Sequence, residues 1–386
     1  MKTRKVVSVY VSGFLVGIVL VLYPAAGTLF TNPDYHGFSS AQFGSIFIPQ
    51  IILAIITSLF GSKISEKRGM KTIMILGLIA LMVSSLLLAS TQWLMGGTAD
   101  YPTVLLGTAF LGAGFGFTIT ALNPLAYSLF PGKETSAVTA MHILLGAGTA
   151  SAALYLNLFI KMGSWYIAPL IVAGVTLGMI LFTLPLELTI AKEDTDDSHK
   201  KGIPPKVWLF GVAVFLYGAC EGTFGNWGAI FLEKSEGLSG SNAALGLSLF
   251  WGFVAVGRIL FTFYTLKYSP KWLYIFAPFA AAAIFYFLPL AEGKTILLFF
   301  MSLGGLGLAI LFPLSISTAT DQFPTHAAFI SGLLVAAIQL GTGFSSYIIG
   351  LFEEQLQLSD IIQYSSVYAF ALGVLAIFLV RKPKQV

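Results

Sequence analysis

Long apolar runs alternate with short polar breaks along the whole chain. A helix needs roughly 20 apolar residues to cross the hydrocarbon core of a bilayer. Runs of that order lie near residues 6–30, 41–62, 72–91, 103–129, 135–160, 165–188, 207–232, 242–265, 272–290, 295–319, 327–351 and 364–380, which predicts twelve spanning helices. The first run is too long for the apolar segment of a signal peptide and lacks a clear small-x-small cleavage site, so it reads as the first span. The longest polar break, AKEDTDDSHKKGIPPK, falls between six runs and six runs. It divides the chain into an N-terminal bundle (1–190), a solvated linker (191–205) and a C-terminal bundle (206–386).

The two halves echo one another. Segment four reads GAGFGFTITALNPLAYSLFP from Gly112, and segment ten reads GGLGLAILFPLSISTATDQFP from Gly304. Each has glycines, then X-Pro-Leu, then a closing Phe-Pro. Parallel six-helix repeats with a binding site between them at mid-depth are one standard plan for transporters. The predicted fold class is therefore an all-α membrane protein of twelve helices in two pseudo-repeat bundles.

Composition agrees with this pattern. The chain is 56% hydrophobic and 10% charged, against about 25% charged in an ordinary soluble domain. The net charge of +4 does not point to nucleic acid, because its distribution follows the breaks between helices. With the N-terminus inside, the inner segments hold Lys2, Arg4 and Lys5, then Lys63, Lys67, Arg68 and Lys71, then Lys133, the linker bases, Lys267 and Lys271, and the C-terminal bases. The outer loops hold only Lys161, Lys234 and Lys294. The positive-inside rule then places both termini in the cytoplasm. An integral plasma-membrane protein is expected, with a bacterial inner membrane as its setting. Cys220 is the only cysteine, which excludes an intrachain disulfide, and the four histidines lie in separate segments with no metal-ligand spacing. No Walker loop or His-Glu-x-x-His is present, so no cofactor or enzymatic activity is expected.

The loop GSKISEKRGMK at residues 61–71 resembles the loop motif of the major facilitator superfamily, with Ser62, Glu66, Lys67, Gly69 and Lys71 at its positions. Three further stretches, ALNPLAYSLFP, MHILLGAG and YGACEGTFGNWG, resemble helices 4, 5 and 7 of the fucose permease-like branch, which includes sodium-dependent glucose transporters. Asn123, His142, Gly146, Gly148, Tyr217, Glu221 and Trp227 carry that match. The resemblance implies a secondary transporter of a sugar or similar small polar metabolite, working by alternating access about a cavity lined mainly by helices 1, 4, 7 and 10. The runs assigned to helices 1 and 4 contain no Asp or Glu, a departure from fucose permease that leaves proton linkage to other residues.

Glu221 is the one acid near the middle of any predicted helix. A charged side chain there costs on the order of 3 kcal/mol on insertion scales, so it faces a cavity, a partner or a proton. It is the candidate for coupling to H⁺ or Na⁺; the alternative is a structural or gating pair with Arg258. Asn123, Gln50, Gln339, Asn226, His142 and Tyr217 could hydrogen-bond sugar hydroxyls, while Trp227 and Trp251 offer stacking faces. Other readings are an exporter of amphipathic drugs or lipids, and a non-coupled facilitator. Small molecules and the bilayer are the expected partners, and the chain is expected to act as a monomer.

Overall fold

The computed structural model describes residues 2–188, 202–265 and 267–381. Most of the linker, residues 189–201, lies outside the described residues, as does the Ser62 side chain. Among the described residues, eleven helices are long and apolar enough to span a membrane: α1 (Lys2–Phe30), α2 (Ser40–Gly61), α3 (Met70–Trp93), α4 (Asp100–Leu129), α5 (Ser136–Lys161), then α7 (Pro205–Ser235), α8 (Gly240–Thr265), α9 (Lys271–Leu290), α10 (Lys294–Gln322), α11 (Phe329–Phe352) and α12 (Leu358–Leu379). The remaining pass, α6 (Ile167–Thr183), is shorter than its apolar run predicts. With twelve passes, Lys2 and Arg381 share one face of the molecule, the terminus face; the other is the distal face.

Several helices depart from the hydropathy pattern. Helix α4 starts at Asp100, because that carboxylate is buried against His36 at 2.9 Å and is thereby held in the first helical turn. The helical end of α7 runs on to Ser235 through a π turn, in which the Glu236 N–H reaches the Phe231 carbonyl. Helix α10 is interrupted between Leu308 and Leu311.

The echo between segments four and ten is present in the backbone. Proline disfavours the helical conformation of the residue before it. Phe130, before Pro131, ends α4 at φ −133°, ψ 73°, and Phe323, before Pro324, ends α10 at φ −135°, ψ 62°. Packing repeats as well. The pairs α1–α5, α2–α4 and α3–α6 of the first half recur as α7–α11, α8–α10 and α9–α12 of the second. A Cβ on Gly112 would lie 1.9 Å from the Gln50 carbonyl of α2, and one on Gly305 would lie 2.1 Å from the Phe250 carbonyl of α8. Only glycine permits these equivalent crossings.

The halves meet through α2–α11 and α5–α8. The hydrogen bonds and ring contacts seen to cross between them lie at the distal face: Ser40 Oγ to Glu353, Lys234 Nζ to the Thr31 carbonyl, and Phe43 against Trp227. At the same face α2 and α11 close on each other through Gly44 and Gly350, where a Cβ on Gly350 would lie 2.4 Å from the Ser40 carbonyl. The structure is thus the distally closed arrangement of the two bundles.

Candidate functional site

Glu221 lies about 24 Å along α7 from Pro205 and about 21 Å from Ser235 at 1.5 Å rise per residue, so it stands at mid-depth. It is partly exposed, whereas the eleven residues that follow it, Gly222 to Leu232, are buried. Tyr217, one turn earlier, shares its helix face. The Tyr217 ring stacks on Phe312 of α10 at 6.1 Å and 16°. Its hydroxyl is directed toward Glu221 and Arg258 but closes no hydrogen bond within 3.5 Å.

Arg258 of α8 completes the group, in a form the sequence did not reveal. No Arg258 nitrogen comes within 4.0 Å of a Glu221 oxygen, although its charge acts on Glu221, Tyr217 and His142. Arg258 Nε instead donates to the Ala309 carbonyl at 3.4 Å. Proline 313 explains this bond: a proline removes the N–H that would bond the carbonyl four residues earlier, here that of Ala309. The guanidinium occupies the acceptor that the α10 break leaves open. Arg258 therefore touches the interruption of one helix while projecting its charge onto the carboxylate of another.

On the terminus side of this layer, His142 Nε2 lies 3.0 Å from Asn123 Oδ1, joining α5 to α4. Both are partly exposed. At mid-depth, Gln50 is buried with its Oε1 unpartnered, set there by the crossing of its own carbonyl over Gly112. Trp251 lies over Gly225, one turn beyond Glu221, with its Nε1 buried and unpartnered. Gln339 of α11 is partly exposed beside Ile338, whose carbonyl lies against Gly218 of α7. Buried polar groups are normally hydrogen-bonded. Tyr217, Gln50 and Trp251 depart from this rule, and such departures are what a polar ligand site requires.

The structure places the other predicted residues elsewhere. Asn226 Nδ2 donates to Ser346 Oγ at 2.7 Å, and Trp227 Nε1 donates to the Ser346 carbonyl at 3.2 Å. Trp227 is fully buried and meets Phe43 edge-on at 5.0 Å. These two residues build the distal seal and present no open face to the central layer. Residues 61–68, expected as a loop, continue the α2 helix to Arg68; Glu66 and Lys67 are exposed on it, and Gly69 turns the chain at φ 81° into α3. Lys71 Nζ donates to the Leu184 carbonyl at the end of α6 at 2.6 Å, a favourable place for a cation.

Sequence reasoning did not single out Glu233 and Asn157. Both line a separate cavity of about 220 Å³ near the distal face. Glu233 lies one residue beyond the apolar run that ends at Leu232 and is marked only by its place after a long helix. Asn157 was masked by a strongly apolar surrounding.

Comparison with known proteins agrees with this architecture. The chain is 26% identical over 298 residues to a putative glucose/galactose transporter of Helicobacter pylori, covering 71% of this chain and 72% of that one. It is 22% identical over 352 residues to the bypass of stop codon protein 6 of Saccharomyces cerevisiae, covering 80% and 69%. A crystal structure of the nucleoside transporter NupG matches its fold with a TM-score of 0.79 at 15% identity, over 98% of this chain and 100% of that one. Residues 6–346 match the family model described as Major Facilitator Superfamily, and the chain belongs to that family of membrane transporters.

Proposed function

We propose that the protein carries a sugar or similar small polar metabolite across the membrane by alternating access, with entry of H⁺ or Na⁺ coupled to it through Glu221. The observation that carries this reading is the mid-depth group of Glu221, Tyr217 and Arg258, with the unpartnered Trp251 over Gly225 one turn away and the unpartnered Gln50 midway along α2 of the other bundle. Amides, a phenol and an indole N–H supply the donors and acceptors that hydroxyl groups need. The ring of Trp251 supplies an apolar face. The glucose/galactose name of the Helicobacter pylori relative favours a hexose.

The coupling follows from charge. A carboxylate in a low-dielectric interior is stabilised by a nearby cation or neutralised by a proton. With Glu221 ionised, its field holds Arg258 toward α7. With a proton or Na⁺ on Glu221, that pull is lost and Arg258 is held by the Ala309 carbonyl alone. Since Ala309 lies at the α10 break, the ionic state of α7 is transmitted to a helix that can bend. His142 and Asn123 lie on the terminus side of the same group, along the path by which cargo leaves the distally closed state.

The positive-inside pattern supports a cytoplasmic terminus face, so that this arrangement opens inward, in a plasma membrane such as a bacterial inner membrane. The test is uptake of radiolabelled D-glucose and D-galactose into proteoliposomes under imposed H⁺ or Na⁺ gradients. Saturable, gradient-stimulated uptake that unlabelled hexose suppresses supports the reading. Efflux of amphipathic drugs with no hexose uptake would replace it with the exporter.

A further inference from the structure

The distal cavity is built by both halves. Its polar lining comes from Thr28 and Asn32 of α1 and the loop that follows, Asn157 of α5, and Glu233 of α7, with Ala243 and Leu247 of α8 among its apolar walls. Glu233 lies about 18 Å beyond Glu221 along the helix axis, so this cavity is distinct from the mid-depth group. The π turn at Phe231–Ser235 displaces the last residues of α7 from regular α-helical register, and such turns recur at functional sites.

Two polar groups in this cavity have hydrogen-bonding positions left unfilled. Glu233 Oε2 is buried without a hydrogen bond, while the Thr28 hydroxyl lies beside the same carboxylate. Asn157 is 9% exposed and makes no hydrogen bond among the described residues. An unsatisfied buried polar group costs about 1–3 kcal/mol, which a ligand can offset. The volume of about 220 Å³ is several times the roughly 30 Å³ share of one water, so the space suits a small organic molecule better than a bare ion. A carboxylate accepts hydrogen bonds from hydroxyls, amides both donate and accept, and the alanine and leucine walls suit a C–H face.

We propose that this cavity is a second binding site, for a neutral polyhydroxylated solute of the cargo's class, and that its occupancy holds the distal face closed. The assignment of ligand class rests on the sugar reading above; the site itself rests on the cavity. Because its walls belong to both bundles, the cavity keeps this shape only while the distal ends are together. A ligand bound there shifts the equilibrium toward that state. High solute concentration on the distal side then slows the return to the distally open state, producing inhibition by excess substrate.

The test uses the full-length protein carrying Cys220→Ser and Ala244→Cys, which puts one thiol in the cavity wall, with D-glucose as probe. Saturating glucose is expected to slow labelling by N-ethylmaleimide at least threefold. Protection is expected to vanish in Glu233→Gln and in Asn157→Leu and to persist in Asn123→Ala, which alters the central group. In counterflow, inhibition at high distal glucose is expected to disappear in Glu233→Gln. Absence of protection, its survival in both cavity variants, its loss in Asn123→Ala, or inhibition unchanged in Glu233→Gln would overturn the proposal. Protection that persists in a protein with no gradient-driven uptake would leave the cavity assigned while refuting the transport reading.

Discussion

Placing a methyl group at the distal crossing of α2 and α11 should open that face. In Gly350→Ala the new Cβ would lie 2.4 Å from the Ser40 carbonyl and 3.0 Å from the Gly44 Cα, and both neighbours are backbone atoms that cannot rotate away. Overpacking of this kind costs about 1–3 kcal/mol. The cost falls only on the distally closed state, since the two helices belong to different halves and part there when the face opens. A bias of that size changes the equilibrium about 5- to 150-fold. A population 99% closed would fall to about 95% at the lower bound and about 40% at the upper. The assay is the distance distribution between spin labels at Thr98 and Glu292, exposed positions in distal loops of opposite halves, in a Cys220→Ser background. Gly350→Ala should add or enlarge a longer-distance component. Gly174→Ala, whose Cβ meets nothing within 4 Å, should not. An unchanged distribution in a folded Gly350→Ala protein would refute the view that this crossing opens during the cycle.

Three further outcomes follow from particular contacts. Arg258→Met removes the donor to the Ala309 carbonyl and should lower thermal stability, by about 1–3 kcal/mol if that carbonyl stays dry. Pro313→Ala supplies a backbone N–H to the same acceptor, so the double variant should recover part of the loss; strictly additive losses would contradict this origin of the α10 break. Tyr217→Phe retains the stack on Phe312 and removes a hydroxyl that has no hydrogen bond to lose, so melting should be unchanged while gradient-driven uptake falls; a fall in stability alone would reverse that assignment. At the distal loop, burial pushes the His36 pKa below its ordinary value of 6.5, outweighing the opposing pull of Asp100. Below about pH 6.5 the unfolded chain therefore binds more protons than the folded one, and stability should decline as pH falls through that window. A melting profile of His36→Gln that declines as steeply as the wild type would show that another group is responsible.

Much of the fold was legible because bilayer thickness imposes one length scale on every run. The pairing of halves was legible in part: the two X-Pro-Leu and Phe-Pro sequences marked equivalent helices, and Phe130 and Phe323 adopt nearly the same backbone angles. Which helices cross between halves was not legible, because α2–α11 and α5–α8 depend on close approaches such as Gly44 to Gly350, between residues far apart in sequence. In the site, charge was the strong signal. One acid at mid-helix drew attention to Glu221, which the structure sets at mid-depth, but the bond from Arg258 to the Ala309 carbonyl depended on a proline two helices away in the same half. Aromatic character was a weak signal. Nothing local distinguishes Trp227, buried in the distal seal, from Trp251, whose indole N–H lies unpartnered near the centre. Glu233 and Asn157 required the cavity itself to be seen, since neither stands in a motif.

The central claim is that the carboxylate of Glu221 links cargo movement to a cation. Its most direct measurement compares wild type and Glu221→Gln in proteoliposomes, with hexose counterflow and gradient-driven accumulation measured on the same preparation. Loss of accumulation under either an H⁺ or a Na⁺ gradient, with counterflow retained, is the predicted result. Undiminished accumulation in Glu221→Gln would contradict it.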